Sequence, residues 1–154
     1  MIEKILVRRS PIPAAKCNLA RSFDIIGDRW SLLILRSALY GVRRFDDFRG
    51  DTGAPGSVLS ARLKKLIAAG LIEPREYQDE GQRKRNEYSL TPMGKSLALP
   101  FMAMTNWADT WLSRKPPPLT LRSKSTGLAI RVAFVDEKGR AVRPDDIATV
   151  VEYF

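Results

Sequence analysis

Residues 53–70, GAPGSVLSARLKKLIAAG, decide the fold. A Pro/Gly-rich entry leads into a helical pattern that stops at Gly70. Leu59, Leu63, Leu66 and Ile67 form the i, i+4, i+7, i+8 stripe of an amphipathic helix. At 100° per residue the other side carries Ser57, Ala61, Lys64, Lys65 and Ala68, with Ser60 and Arg62 on the flanks. No acidic residue occurs from Ser57 to Leu71. Such a face, small at its start and cationic further along, suits a groove lined with phosphates. Taken alone it equally suits a solvated lysine face, so its neighbours must decide between them.

The preceding residues supply the frame. Leu19, Phe23 and Ile26 share one side of a helix that starts near Asn18 and ends at Gly27. Asp28 is placed to cap a second helix over residues 29–40, RWSLLILRSALY, apolar on almost every side and therefore central. Phe45 and Phe48 at i, i+3 predict a short third helix. A turn of Gly50, Asp51, Thr52 and Gly53 then joins it to the opening stretch. Two short helices around a Gly-containing turn are a helix-turn-helix, whose second helix reads DNA.

After Gly70 the period changes to two. Leu71, Ile72, Pro74, Arg75, Glu76 and Tyr77 predict a strand, with Pro74 at an edge, and residues 87–90 predict its return. The charged turn QDEGQRKRN between them sets Arg83, Lys84 and Arg85 at or just after a hairpin tip. Helices followed by a hairpin with a basic tip make the winged helix-turn-helix plan, mainly α with a small β-wing (α+β). The wing cations are then placed for a phosphate backbone or a minor groove.

Thr91 with Pro92 can open a further helix over about 92–112, which Pro100 should kink or make start late. Leu97, Phe101, Met104, Trp107 and Trp111 form its stripe and predict a dimerisation helix. The organisation is an N-terminal arm over 1–16, kept out of helix by Pro11 and Pro13, and a winged domain over 17–114. A stiff Pro-rich linker over 115–118 and an extension over 119–154 follow. In the extension Leu128, Ile130, Val132 and Phe134 alternate before the turn DEKG and Ala141-Val142, predicting a β-hairpin. Pro144-Asp145-Asp146 can start a last helix or strand through Ile147, Val150, Val151 and Phe154. Some thirty residues cannot hold an independent core.

Composition narrows the chemistry. The 154 residues suit one domain with a small appendage, and a net charge of +9 with a pI near 10.1 favours a polyanionic partner. Residues 1–42 carry 7 basic and 3 acidic groups, 43–95 carry 11 and 8, and 96–154 carry 8 and 6, so any footprint must be assembled by folding. Cys17 is the only cysteine and histidine is absent, which excludes an intrachain disulfide, a Cys/His zinc site and imidazole catalysis. No cofactor, metal or enzymatic motif is expected. No run is apolar and long enough for a signal peptide or a membrane span, so the expected location is cytoplasmic.

A set of motifs then stands in a familiar order: CNLAR at 17–21, IIGDRW at 25–30, LLILR at 32–36, Arg44-Phe45, VLSARL at 58–63, AGLI at 69–72 and EYSLTPMG at 87–94. In this the chain resembles HxlR-type regulators, over residues 17 to about 112. The resemblance implies a dimeric winged-helix transcription factor, usually intracellular and bacterial. Where that family often opens its reading helix with Ser-Pro, this chain has Pro55-Gly56. The hairpin after the linker lies outside the common family core. The resemblance also makes Cys17 a candidate redox sensor, since some members respond to oxidants or electrophiles through a cysteine near this place. A helix start with cations nearby favours a reactive thiol, and Lys16 and Arg21 are close. With one cysteine per chain, oxidation would give an intersubunit disulfide, a mixed disulfide or an adduct. A small packing residue at a dimer contact is the other reading.

The expected function is a homodimer on an inverted repeat in double-stranded DNA, with Ser57, Ser60, Ala61 and Lys64 on bases. Arg62, Lys65, Arg83, Lys84 and Arg85 would hold phosphates, as would Arg43 and Arg44, unless Arg44 is structural. About six phosphate neutralisations would give a log–log salt slope near −5. Two rivals remain: a winged-helix module that binds protein, and a regulator that answers a small molecule or oxidant through Cys17 or the extension.

Overall fold

The computed structural model describes residues 12–81, 83–113, 115–117 and 119–148. Arg8, Arg9 and Pro11 of the expected arm, Pro118 of the linker and the expected element's Val150, Val151 and Phe154 lie outside them. The chain divides into two compact units, Cys17–Phe101 and the described residues of Met1–Lys16 and Met102–Phe154.

In the first unit α1 spans Asn18–Ile26 and α2 spans Arg29–Leu39. Asp28 caps α2 as its sequence position foretells: its carboxylate accepts the Ser31 N–H at 3.0 Å and the Ser31 hydroxyl at 2.7 Å. Ile34, Leu35, Ser31 and Ser37 of α2 are buried, so this helix is central. The buried Ser37 hydroxyl bonds the Asp51 carboxylate. Arg36 Nη2 donates to the same carboxylate at 2.8 Å. Ser37 first and Arg36 second hold the Asp51 carboxyl below the usual carboxylate range.

That anchor corrects one boundary. α3 spans Phe45–Thr52, so Gly50, Asp51 and Thr52 belong to the helix and not to the turn. Asp51, fastened to α2, keeps the last turn wound despite the ~1 kcal/mol that a helical glycine costs. The Thr52 hydroxyl donates to the Phe48 carbonyl at 2.6 Å. Gly53, at φ 70°, ends the helix in the left-handed region that favours glycine. α4 then spans Gly56–Ala68.

β1 (Ile72–Tyr77) and β2 (Arg85–Leu90) pair antiparallel with Pro74 opposite Tyr88. On the other side of β2 the Tyr88 N–H donates to the Arg43 carbonyl at 2.8 Å, and Arg44 bridges to Glu87. Pro74 therefore sits on the outer strand, where a missing N–H is tolerated. The core collects Ile34 and Leu35 with Phe48, Leu59, Leu63, Leu66, Ile72 and Leu90. The expected long helix is two elements, α5 (Pro92–Ser96) and α6 (Ala98–Trp111). The Leu97 N–H bonds the Gly94 carbonyl at 3.2 Å, closing α5, and Pro100 falls in the first turn of α6, where its missing donor is harmless.

In the second unit β3 (Phe134–Val135) and β4 (Ala141–Val142) form the expected hairpin around Gly139. The alternation from Leu128 does not make one strand. Residues 121–130 instead fold into a small loop of their own, with the Ser123 N–H donating to the Leu128 carbonyl and the Ile130 N–H to the Leu121 carbonyl, each at 2.9 Å. Residues 144–146 form a 3-10 turn.

Of the described glycines, Gly94 is the most closely approached. A Cβ there would stand 2.1 Å from the Leu71 carbonyl oxygen and 2.9 Å from Leu90 Cδ2. Replacement Gly94→Ala is expected to cost about 3 kcal/mol and lower the Tm by more than ~10 °C, as measured by thermal unfolding followed by circular dichroism.

Candidate nucleic-acid interface

The orientation of α4 follows from its apolar stripe. Leu59, Leu63 and Leu66 are buried, and Ile67 is half-buried beside them. Ser57, Ala61, Lys64 and Ala68 are left exposed on the outer side, with Ser60 half-buried at its margin. The helix begins at Pro55-Gly56 with no side-chain cap. Its first turn is held instead by the Leu59 N–H on the Pro55 carbonyl, at 2.9 Å, and by the buried Ala54.

Two residues expected on phosphates turn the other way. Arg62 Nε lies 3.1 Å from Asp28 Oδ1 and Lys65 Nζ 3.9 Å from Asp28 Oδ2. Lys65 also donates to the Asp24 carbonyl at 2.8 Å. Burial by itself would raise the Asp28 carboxyl. The Ser31 hydroxyl and amide, and then Arg62 and Lys65, outweigh it and hold that group below the usual carboxylate range. Sequence reasoning placed Asp28 only as a cap. Nothing in the spacing brings it to residues more than thirty positions away, because that proximity is made by packing α4 on α2.

The wing is held by a similar set of pairs. Arg44 reaches Asp79 with both terminal nitrogens, at 3.2 and 3.3 Å, while its guanidinium lies 4.5 Å from the centre of the Tyr77 ring. Arg44 is thus tied to the turn end of the wing. Lys84 Nζ lies 3.5 Å from Glu76, and Arg85 lies 3.9 Å from Asp46 of α3. Arg85 opens β2, opposite Tyr77, just after the tip. A cleft of about 480 Å³ is lined by Tyr77, Asp79, Glu80, Arg83 and Arg85. Arg43 is exposed, its backbone carbonyl held by β2. Among the described residues, Lys64, Arg83 and Arg43 are the expected cations that are exposed and have no carboxylate partner.

Of the other expected residues, Cys17 is half-buried at the N-terminal boundary of α1, its carbonyl accepting the Arg21 N–H at 3.0 Å. On α1, Ile26 is buried, but Leu19 and Phe23 are 67% and 47% exposed. Leu97 and Phe101 pack against the core of the first unit. Met104 is exposed, and Trp107 and Trp111 are exposed by 57% and 73%. Among the described residues no three His, Cys, Asp or Glu side chains are grouped for a metal ion, and no helix is long and apolar enough to cross a membrane.

Known proteins are similar to this chain. A family model described as HxlR-like helix-turn-helix matches residues 25–116. The HTH-type transcriptional regulator Rv3095 of Mycobacterium tuberculosis is 37% identical over 111 residues, covering 71% of this chain and 69% of that protein. YvaP of Bacillus subtilis, also an HTH-type transcriptional regulator, is 37% identical over 93 residues, covering 60% of this chain and 84% of the relative. The crystal structure of PA1607, a candidate transcription factor, is similar at a TM-score of 0.76 and 27% identity, covering 90% of this chain and 96% of that one. The redox regulator HypR in its oxidized form is similar at a TM-score of 0.56 and 26% identity, covering 64% of this chain and 99% of that one.

Removing the Arg44 clamp should loosen the tip of the wing without unfolding the domain. An exposed ion pair and a cation–π contact together contribute about 1–2 kcal/mol. Arg44→Ala is therefore expected to speed tryptic cleavage after Arg83, Lys84 and Arg85 by up to ~tenfold, read by mass spectrometry. Its Tm should fall by no more than a few degrees.

Proposed function

The chain belongs to the HxlR-like helix-turn-helix family, as a DNA-binding transcriptional regulator and not an enzyme, and we propose that it acts as a homodimer on an inverted-repeat operator. The observation that carries this reading is the division of α4 into a fully buried leucine stripe and an exposed face of Ser57, Ala61 and Lys64. Small side chains permit close approach of the helix to base edges, and Lys64 adds a donor to guanine or to phosphate. The wing, with Arg83 toward its tip, and Arg43 beside the helix pair would engage the flanking backbone. Arg44, Lys84 and Arg85 would act mainly by holding the wing in place, as their pairs indicate.

The dimer has its own support. No side chain of α6 is fully buried, and Leu99, Met104, Trp107 and Trp111 are exposed. Large aromatic residues of this kind dominate protein interfaces. A two-fold dimer presents two copies of α4 to half-sites about one turn, ~34–36 Å, apart, which is why the operator should be palindromic. The domain plan follows: a winged reader over 17–114 that ends in the dimerisation helix, then the linker and the extension. A regulator of this kind works in the cytoplasm, where the DNA is. Control through Cys17 is a second reading, supported by the half-buried thiol at the start of α1 and by the likeness to HypR.

Selection of duplexes from a random pool, followed by footprinting, tests the proposal. The recovered site should be an inverted repeat, and its affinity should fall with salt at a log–log slope near −5. Lys64→Ala should flatten that slope by about 2 per dimer, and Trp107→Ala with Trp111→Ala should give a monomer on sedimentation. A slope near zero sinks the DNA reading and favours a protein-binding module.

A further inference from the structure

Two of the three basic side chains of α4 are withheld from its outer face. Arg62 is ion-paired with Asp28 at 3.1 Å, and its Nε is fully enclosed without an aligned hydrogen bond. Lys65 reaches the same carboxylate at 3.9 Å and donates to the Asp24 carbonyl at 2.8 Å. That carbonyl is one of the last four of α1, which have no partner within the helix. Asp28 itself sits between α1 and α2, its two oxygens already fixed by the amide and hydroxyl of Ser31. One carboxylate therefore joins the ends of α1 and α2 to the middle of α4. It draws two cations back and leaves Lys64 exposed on α4.

We propose that Asp28 is a positioning residue for DNA recognition: by holding Arg62 and Lys65 it keeps them off the phosphate backbone and sets α4 against the α1–α2 corner. This rests on the reading that α4 meets the duplex. Each cation that neutralises a phosphate adds close to one unit to the salt slope and strengthens binding to every sequence alike. Two fewer such contacts per subunit lower sequence-independent affinity, so a larger share of binding depends on the residues that face bases. A cap alone would do none of this, and the two roles separate chemically. Asparagine caps a helix about as well as aspartate but cannot hold two cations.

The test uses Asp28→Asn in the full-length chain, with Arg62→Gln/Lys65→Gln as the second background. The probes are the duplex that the wild-type chain selects from a random pool and a scrambled duplex of the same composition. Asp28→Asn should keep a Tm within a few degrees of wild type, bind the scrambled duplex several-fold more tightly and steepen its salt slope by about 2 per bound subunit. The ratio of selected to scrambled affinity should fall by about tenfold. In the Arg62→Gln/Lys65→Gln background the same change should alter neither slope nor ratio. An unchanged ratio and slope in the single variant, or a change that persists in the second background, overturns the proposal.

A readout without DNA keeps this apart from the proposed function. Acetylation of Lys65 by an N-hydroxysuccinimide ester should lag that of Lys64 in the wild type and rise severalfold in Asp28→Asn. An unchanged Lys65 to Lys64 ratio overturns the proposal whatever the DNA result. Failure of the wild-type chain to select any duplex overturns the proposed function, and the recognition role with it, while the acetylation ratio still reads the hold of Asp28 on Lys65.

Discussion

Leu59, Leu63 and Leu66 bury one side of α4 in the core that α2 contributes through Ile34 and Leu35, and this burial determines which side chains of α4 remain outside. A fully buried leucine contributes about 1.5–3 kcal/mol, against about 1 kcal/mol for a helix cap. Three such residues outweigh the cap that Pro55-Gly56 lacks, so α4 forms in place without one. The same stripe fixes rotation. Turning the helix by one residue, 100°, would expose Leu59 and drive the polar Ser60 toward the core. The outward position of Ser57, Ala61 and Lys64 is thus a consequence of hydrophobic packing before any electrostatic effect enters.

Electrostatics then acts on what packing has placed. The net charge of +9 belongs to the whole chain, and within the winged unit many basic side chains have carboxylate partners. Arg36 meets Asp51, Arg44 meets Asp79, Lys84 meets Glu76, Arg85 meets Asp46, and Arg62 and Lys65 share Asp28. Exposed pairs of this kind add at most about 1 kcal/mol each to stability. Their effect is geometric: apart from Lys84 and Glu76, which pair within the hairpin, each joins parts of the chain that belong to different elements, so α3, the wing and α4 keep fixed directions relative to α2. A surface built this way gives up part of its general attraction to polyanions for a defined arrangement of the cations that stay outside.

Most of the winged unit was legible in the sequence because its signals are local. The leucine spacing of α4, the cap at Asp28, the glycine stops at Gly27 and Gly70 and the Thr91-Pro92 helix start all act within a few residues. The end of α3 was misread because Gly50 looks like a breaker, whereas the contact that overrides it, Asp51 on Ser37 and Arg36, spans fourteen or fifteen positions. Arg62 and Lys65 were assigned to phosphates for the same reason. Helical periodicity tells which way a side chain starts out, but a long flexible cation can fold back to any carboxylate that packing brings near. The tip of the wing was read as a cationic cluster, and Arg44 was left open between phosphate and structure; only the folded hairpin shows Asp79 and Glu76 as their partners.

The extension obeys the opposite balance. Alternation from Leu128 to Phe134 encodes a half-buried strand, but none of the described residues from 119 to 148 is buried. A strand gains from alternation only when one of its faces has something to cover it. Without that, the parts that form are those closed by local hydrogen bonds. Asp136 accepts the backbone N–H groups of Lys138 and Arg140 and the Arg140 guanidinium, which fixes the turn between β3 and β4. The strands beside that turn stop after two residues each, with Phe134 and Val135 exposed. Turn chemistry is self-contained and strand pairing is not, so this segment shows a well-made turn between short strands.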